Sequence, residues 1–115
     1  MDKTELTNAA TPDDSAAFDD LAGALLLDVR RTAAFEAAAS VIPGSTWCDP
    51  ATVAAWAGSL PAGRPVVVYC VYGHEVSQAT AAHLRAAGLN ARYLRGGIDA
   101  WQAAGLPVQP KGAPS

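Results

Sequence analysis

The sequence predicts an α/β domain built on a parallel sheet with helices on both faces. Three observations point there. Short apolar runs of strand length alternate with Ala-rich helical stretches along the whole chain. Two of the runs, Ala24 to Val29 and Val66 to Tyr69, are almost continuously apolar, as strands buried on both faces are. Gly- and Pro-containing breakers separate most neighbouring segments. No internal repeat is apparent.

The elements follow in order. Residues 1–10 read as a polar arm, 11–108 as one domain and 109–115 as a Pro/Gly-rich flexible tail. Thr11-Pro12-Asp13-Asp14 has the form of a helix start, with a capping hydroxyl, Pro at the first turn and acidic residues facing the dipole. That helix is expected to carry Phe18 and Leu21 inward and to stop at Gly23. The Ala24–Val29 strand leads into an Ala-rich helix over Arg30–Ala39 that contains Phe35. Val41-Ile42 reads as a very short strand ended by Pro43-Gly44. Trp47-Cys48-Asp49-Pro50 opens a helical piece over about Ala51–Gly58, with Val53 and Trp56 inward. After the Leu60–Pro65 breaker comes the central strand Val66–Tyr69. A helix over Val76–Ala87 is expected to face the core with Val76, Ala79, Thr80, His83, Leu84 and Ala87, and to end at Gly88. Ala91–Leu94 is a last strand and Ile98–Ala104 a last helix, ended by Gly105-Leu106-Pro107.

Composition narrows the function. The 115 residues are half hydrophobic and 17% charged, which supports one domain with a real core. A net charge of -3 and no basic patch argue against nucleic acid or an acidic membrane as a partner. The longest apolar run, Ala22 to Leu27, is far too short to span a membrane. Met1–Glu5 is polar and lacks the pattern of a secretory signal, so a cytoplasmic location is expected. Two cysteines, Cys48 and Cys70, make neither a disulfide framework nor structural zinc spacing; no metal and no cofactor is expected.

The chemistry is expected at Cys70. A buried strand delivers this thiol to a short loop, Val71-Tyr72-Gly73-His74-Glu75-Val76, at the start of a helix. Free backbone N–H groups and the helix dipole there favour a negative charge, and Gly73 allows a positive φ in the curve. In parallel α/β sheets ligands gather beyond the carboxyl ends of the strands. Asp28-Val29-Arg30-Arg31 and Arg95-Gly96-Gly97 should converge on the loop from neighbouring strands, with Asp28, Arg30 and Arg95 as its support. A thiolate held this way suits sulfur transfer: it takes sulfur from a donor, keeps it as a persulfide and passes it to a second nucleophile.

The residues resemble the rhodanese-like sulfurtransferases over roughly 11–108. Four pieces carry the likeness in order: Leu27-Asp28-Val29-Arg30, Ile42-Pro43-Gly44-Ser45, Val68-Tyr69-Cys70-Val71-Tyr72-Gly73, and Gly96-Gly97-Ile98 with Trp101 and Gly105-Leu106-Pro107-Val108. The resemblance implies a three-layer α/β/α fold around a mainly five-stranded parallel sheet, with Cys70 as the catalytic residue. It implies a small sulfur donor such as thiosulfate, a thiol or cyanide acceptor, and a protein persulfide as a further potential partner.

This chain departs from the family pattern. Val71 and Glu75 stand where many members have basic loop residues, Ala34 replaces an acidic residue before Phe35, and Val41 replaces a histidine. The Phe35–Pro43 stretch is about two residues longer than the commonest form. Glu75 matters most. A carboxylate about 4 Å from a thiolate costs on the order of 1 kcal/mol in water and about 4 near a protein surface. It also repels the thiosulfate dianion, so weaker thiosulfate use is expected.

Other readings stand beside this one. His74 is either a proton donor or a solvent-facing loop residue, and His83 is expected to be structural. Cys48 is either a resolving partner for Cys70 or a half-buried apolar residue. Trp47, Trp56 and Trp101 read as packing residues. A phosphatase of this fold needs an arginine six positions after the cysteine, and Val76 stands there. A non-catalytic persulfide carrier or redox-sensing module is the alternative outside enzymes.

Overall fold

A computed structural model describes residues 15–111. Five strands make an all-parallel sheet: β1 (Ser15–Ala16), β2 (Leu25–Asp28), β4 (Thr46–Trp47), β5 (Val66–Tyr69) and β6 (Ala91–Leu94). Their order is β1-β6-β5-β2-β4, with β5 at the centre. All four residues of β5 are buried, which is why the Val-rich run shows no polar alternation. The helices are α1 (Thr32–Ala37), α2 (Val53–Trp56), α3 (Glu75–Ala86) and α4 (Gly97–Ala103). Two core layers result. Leu27, Val29, Val66, Val68, Ala81 and Leu84 pack on one face of the sheet. Leu26, Ile42, Val67, Tyr69, Leu94, Ile98 and Trp101 pack on the other.

Several expectations change. The helix start at 11–14 lies outside the described residues. Where that helix was expected to continue, Ser15–Ala16 is instead an edge strand in register with Tyr93 and Leu94. Ala16 is fully buried there, so sheet pairing overrides the local helix signal. Phe18 and Leu21 do turn inward, but from a single 3₁₀ turn, with Phe18 edge-on to Trp101 at 5.6 Å. Val41 does not join the main sheet. Ser40–Val41 (β3) pairs antiparallel with Gln109–Pro110 (β7), and Thr46–Trp47 takes the place beside β2.

The expected flexible tail is therefore tied down at its first residues. Lys111 also donates from Nζ to the carbonyls of Phe35 and Glu36, capping the C-terminal end of α1, and lies 4.8 Å from the Phe35 ring centroid. The inward face of α3 is Ser77, Thr80, Ala81 and Leu84, one residue round from the expected stripe. His83 and Ala79 are exposed, which corrects the structural role expected of His83. Small residues at 77 and 81 let the helix lie close to the sheet, a preference that hydropathy alone does not reveal.

Candidate active site

The site forms where β5 ends. Cys70 follows Tyr69 directly and is 7% exposed. The loop then climbs to α3, with His74 at its N-cap position and Glu75 as its first residue. What holds the loop is the second glycine motif. Ile98 N–H donates to the Cys70 carbonyl at 3.0 Å and Asp99 N–H to the Val71 carbonyl at 2.9 Å. These are first-turn donors of α4 that have no partner within their own helix.

Peptide planarity sets the rest. In a trans peptide the N–H points opposite to the C=O. With the carbonyls of Cys70 and Val71 turned to α4, the N–H groups of Val71 and Tyr72 point away from it. Among the described residues, no backbone carbonyl accepts from the N–H groups of Val71 to His74. Unpartnered donors thus follow the thiol through the loop and into the first turn of α3, the makings of an anion cradle.

Two glycines make this packing possible. At Gly97 (φ +63) a Cβ would sit 2.5 Å from both the Cys70 and Val71 carbonyl oxygens. At Gly73 (φ +74) it would sit 2.6 Å from the Gly96 nitrogen. The two glycine stretches, distant in sequence, are each other's steric requirement.

A cavity of about 270 Å³ opens over Cys70. The loop residues Val71, Tyr72, His74, Glu75 and Val76 line it, with Arg30, Arg31 and Ala34 across from them. Gly73 is absent from this wall because it packs against Gly96. A neighbouring cavity of about 440 Å³ shares Arg31, Glu75 and Val76 and extends over Asp49, Ala51 and Thr80. Tyr72 is the large apolar side chain left exposed at the rim, and its ring lies 6.1 Å from that of His74.

The supporting charges are placed differently from one another. Asp28 is fully buried and its carboxylate accepts from the Arg30 backbone N–H, from Nε and, at 2.6 Å, from Nη2. Arg30 Nη2 also donates to the Ser40 carbonyl. The guanidinium lies 5.7 Å from the ring centroids of both Phe35 and Tyr69. Burial by itself lowers the Arg30 pKa, and the Asp28 carboxylate more than reverses that, so the guanidinium stays charged. Arg30 therefore borders the cavity as half of a closed ion pair. Arg95 does not reach the cavity. Its guanidinium donates to Ser15 Oγ at 3.0 Å on the edge strand, which corrects its expected place beside the loop.

The Ile42–Ser45 turn is also scaffolding. Tyr69 Oη accepts from Ile42 N–H at 3.2 Å and pairs with Ser45 Oγ at 2.9 Å. Burial, reinforced by the Asp28 carboxylate, pushes the Tyr69 phenol up to about 12. The three tryptophans act as expected, each donating its indole N–H to a backbone carbonyl: Trp47 to Arg30, Trp56 to Asp49 and Trp101 to Pro107.

Cys48 sits apart from Cys70. Asp28 is in register with both Trp47 and Tyr69, so the two cysteines flank Val29 on opposite sides. Two strand spacings separate them, about 9–10 Å, and a disulfide needs Cα atoms within about 7 Å. Burial pushes the Cys48 thiol pKa up, and Asp28 adds to it. A protonated thiol packed on the core is a poor nucleophile.

One group was not anticipated. Cys70 Sγ donates to Ser77 Oγ at 3.2 Å, and Ser77 is fully buried. The available signal was its spacing: Ser77 shares a helix face with Thr80, Ala81 and Leu84, directly after the loop.

Fold and loop together describe an α/β domain that presents a cysteine at the carboxyl edge of a parallel sheet. The model of the rhodanese-like domain family matches residues 11–104, and the chain belongs to that family. A sulfurtransferase of Allochromatium vinosum is 36% identical over 89 residues, covering 76% of this chain and 81% of that protein. Among solved structures, a rhodanese-related protein from Thermoplasma volcanium has a TM-score of 0.73 at 26% identity, covering 83% of this chain and 96% of its own. A protein from Rhodopseudomonas palustris, described as a possible tyrosine phosphatase, has a TM-score of 0.67 at 25% identity, covering 79% of this chain and 74% of its own.

Proposed function

We propose that the protein is a sulfurtransferase that carries sulfane sulfur on Cys70 and delivers it to a thiol or cyanide. The observation that carries this reading is the loop itself. Cys70 lies under a cavity, beside N–H groups whose companion carbonyls are turned away to α4. Such a cradle suits a small anion close to the thiol, as the terminal sulfur of a persulfide is.

The first step is attack of the Cys70 thiolate on the outer sulfur of the donor. The donor S–S bond breaks and its electron pair leaves with the donor remnant, sulfite in the case of thiosulfate. The new Cys70–S–S⁻ anion is stabilised by the loop N–H groups. The acceptor thiolate or cyanide then attacks the outer sulfur, and Cys70 leaves with the bonding pair as a thiolate. Two displacement steps replace one difficult transfer, without net oxidation or reduction.

Glu75 and Val76 shape this activity. Glu75 lines the cavity mouth and disfavours a dianionic donor, so a persulfide or another weakly charged donor serves better than thiosulfate. Val76 packs on the core where an oxyanion clamp requires arginine, which argues against phosphate ester hydrolysis.

The test is a donor panel of thiosulfate, a thiosulfonate, 3-mercaptopyruvate and a persulfidated protein, with wild type and Cys70→Ser. The expected result is transfer that disappears in Cys70→Ser, with one extra sulfur on Cys70 by mass spectrometry. Transfer that survives the substitution refutes the reading. Stable sulfur loading without turnover to any acceptor favours a carrier instead.

A further inference from the structure

We infer that Ser77 is a catalytic hydrogen-bond partner of the inner sulfur, with a role distinct from that of the loop N–H groups. This rests on Cys70 as the sulfur-carrying residue. Ser77 lies in the first turn of α3, seven residues after Cys70, and is fully buried. Its Oγ lies 3.2 Å from Cys70 Sγ, and among the described residues no other group bonds that hydroxyl.

A hydroxyl is both donor and acceptor, and its hydrogen rotates to suit its neighbour. Beside the thiol, Ser77 Oγ accepts the S–H. Once the thiol has lost its proton, sulfur has no hydrogen to give, and the same hydroxyl rotates to donate to it. Both free forms of Cys70 are thereby satisfied at a largely buried sulfur. The persulfide differs. Its charge resides on the outer sulfur, and the inner sulfur becomes a divalent, nearly neutral atom, a weak acceptor. Ser77 then has little to hold.

The hydroxyl therefore favours unloaded Cys70 over loaded Cys70. In the first step it stabilises the attacking thiolate. In the second it stabilises the departing thiolate as the S–S bonding pair returns to the inner sulfur. The loop N–H groups do the complementary work on the outer sulfur. Thr80 has a hydroxyl on the same helix face, but that one donates to the Val76 carbonyl and does not serve the sulfur.

The experiment compares wild type, Ser77→Ala and Ser77→Thr, with folding checked by circular dichroism. Iodoacetamide alkylation of Cys70 is followed from neutral to moderately alkaline pH, with the labelled site read by mass spectrometry. At neutral pH Ser77→Ala is expected to react about tenfold more slowly, the effect of losing one hydrogen bond to a charged group. The two rates are expected to converge toward alkaline pH. A fixed mixture of donor and acceptor is also expected to leave more of Cys70 in the sulfur-loaded form in Ser77→Ala than in wild type. Ser77→Thr keeps the hydroxyl and stays near wild type in both measurements.

Ser77→Ala matching wild type at neutral pH, or slowed by one factor at every pH, overturns the inference. So does a folded Ser77→Thr as slow as Ser77→Ala. If Ser77→Ala does not fold, Ser77→Thr at wild-type rate and loading supports the role and a folded but slowed Ser77→Thr refutes it. Transfer that persists in Cys70→Ser removes the proposed function itself, an outcome distinct from all of these.

Discussion

The ends of β2 and β5 lie side by side, with Asp28 in register with Tyr69, yet their polar groups meet different fates. At the end of β2, Asp28 and Arg30 are buried and bonded to one another, and Arg30 also reaches the Ser40 carbonyl. Beyond β5, the loop carbonyls are fixed on α4 while the N–H groups and the Cys70 thiol border a cavity. The closed charge pair braces the structure. The open donors are available to a ligand. Charge near a site is thus a poor guide to function, and partner satisfaction is a better one.

The largest test of that contrast is on the β2 side. Asp28→Ala leaves the Arg30 guanidinium buried without its carboxylate and is expected to cost about 3–5 kcal/mol. Urea denaturation measures it. The double variant Asp28→Leu with Arg30→Met should recover much of the loss, because no charge is left unpaired. A double variant as unstable as Asp28→Ala would mean the pair does more than satisfy itself.

Next comes the glycine contact that shapes the loop. Gly97→Ala forces a Cβ to within 2.5 Å of two carbonyl oxygens at a positive φ. Strain and overpacking together should cost about 2–4 kcal/mol. Sulfur transfer should fall as well, since the Cys70 and Val71 carbonyls lose their places. Gly105→Ala, where a Cβ meets no atom within 4 Å, carries the φ cost alone and is expected to leave transfer intact.

A smaller effect is pH-dependent and belongs to Tyr69. Its phenol is raised from 10 to about 12 in the folded chain, through burial first and then Asp28. A raised pKa means the folded state holds the proton more tightly. The stabilisation is therefore complete below about pH 10 and is lost as pH rises toward about 12, amounting to roughly 2–3 kcal/mol over that window. Tyr69→Phe should flatten the alkaline limb of the stability curve. It should also lower neutral stability by about 1–2 kcal/mol through the lost bonds to Ile42 and Ser45. An alkaline limb unchanged by Tyr69→Phe would place the titrating group elsewhere.

The smallest expected effect is on the open side. Glu75→Arg should raise thiosulfate kcat/KM about three- to tenfold, by replacing repulsion with attraction at the cavity mouth. Glu75→Ala should give an intermediate value, and both gains should shrink in high salt. Identical thiosulfate kinetics in all three proteins would remove Glu75 from donor selection.

The strong signals in the chain were those with a local physical cause. Val66–Val68 is too apolar and β-branched to be anything but an inner strand, and Cys70 at its end before Gly73 marks the turn on which the proposed chemistry rests. The weak signals were those whose cause is remote. Ser15–Ala16 is a strand because β6 lies beside it, and two residues carry no periodicity of their own. Ser40–Val41 pairs with Gln109–Pro110 across most of the chain length, so the tail at 109–111 read as free. The face of α3 was misplaced by one residue because Ala-rich helices show little hydrophobic contrast, and Ser77 went unremarked with it.

By itself, the sequence determined the alternating α/β order, the central strand, the loop cysteine and the glycines that let the chain curve there. These follow from side-chain shape and from each residue's own φ preference. Only the tertiary structure decided which charged groups are committed to one another, that Arg95 turns to Ser15, that α4 holds the loop carbonyls, and that a serine hydroxyl lies against the sulfur. Two of them, Arg95 with Ser15 and α4 with the loop, join segments far apart in the chain, and the other two, Asp28 with Arg30 and Cys70 with Ser77, join near neighbours whose side chains the fold turns toward each other. Their energies depend on distance and partner satisfaction, which no local stretch of residues encodes.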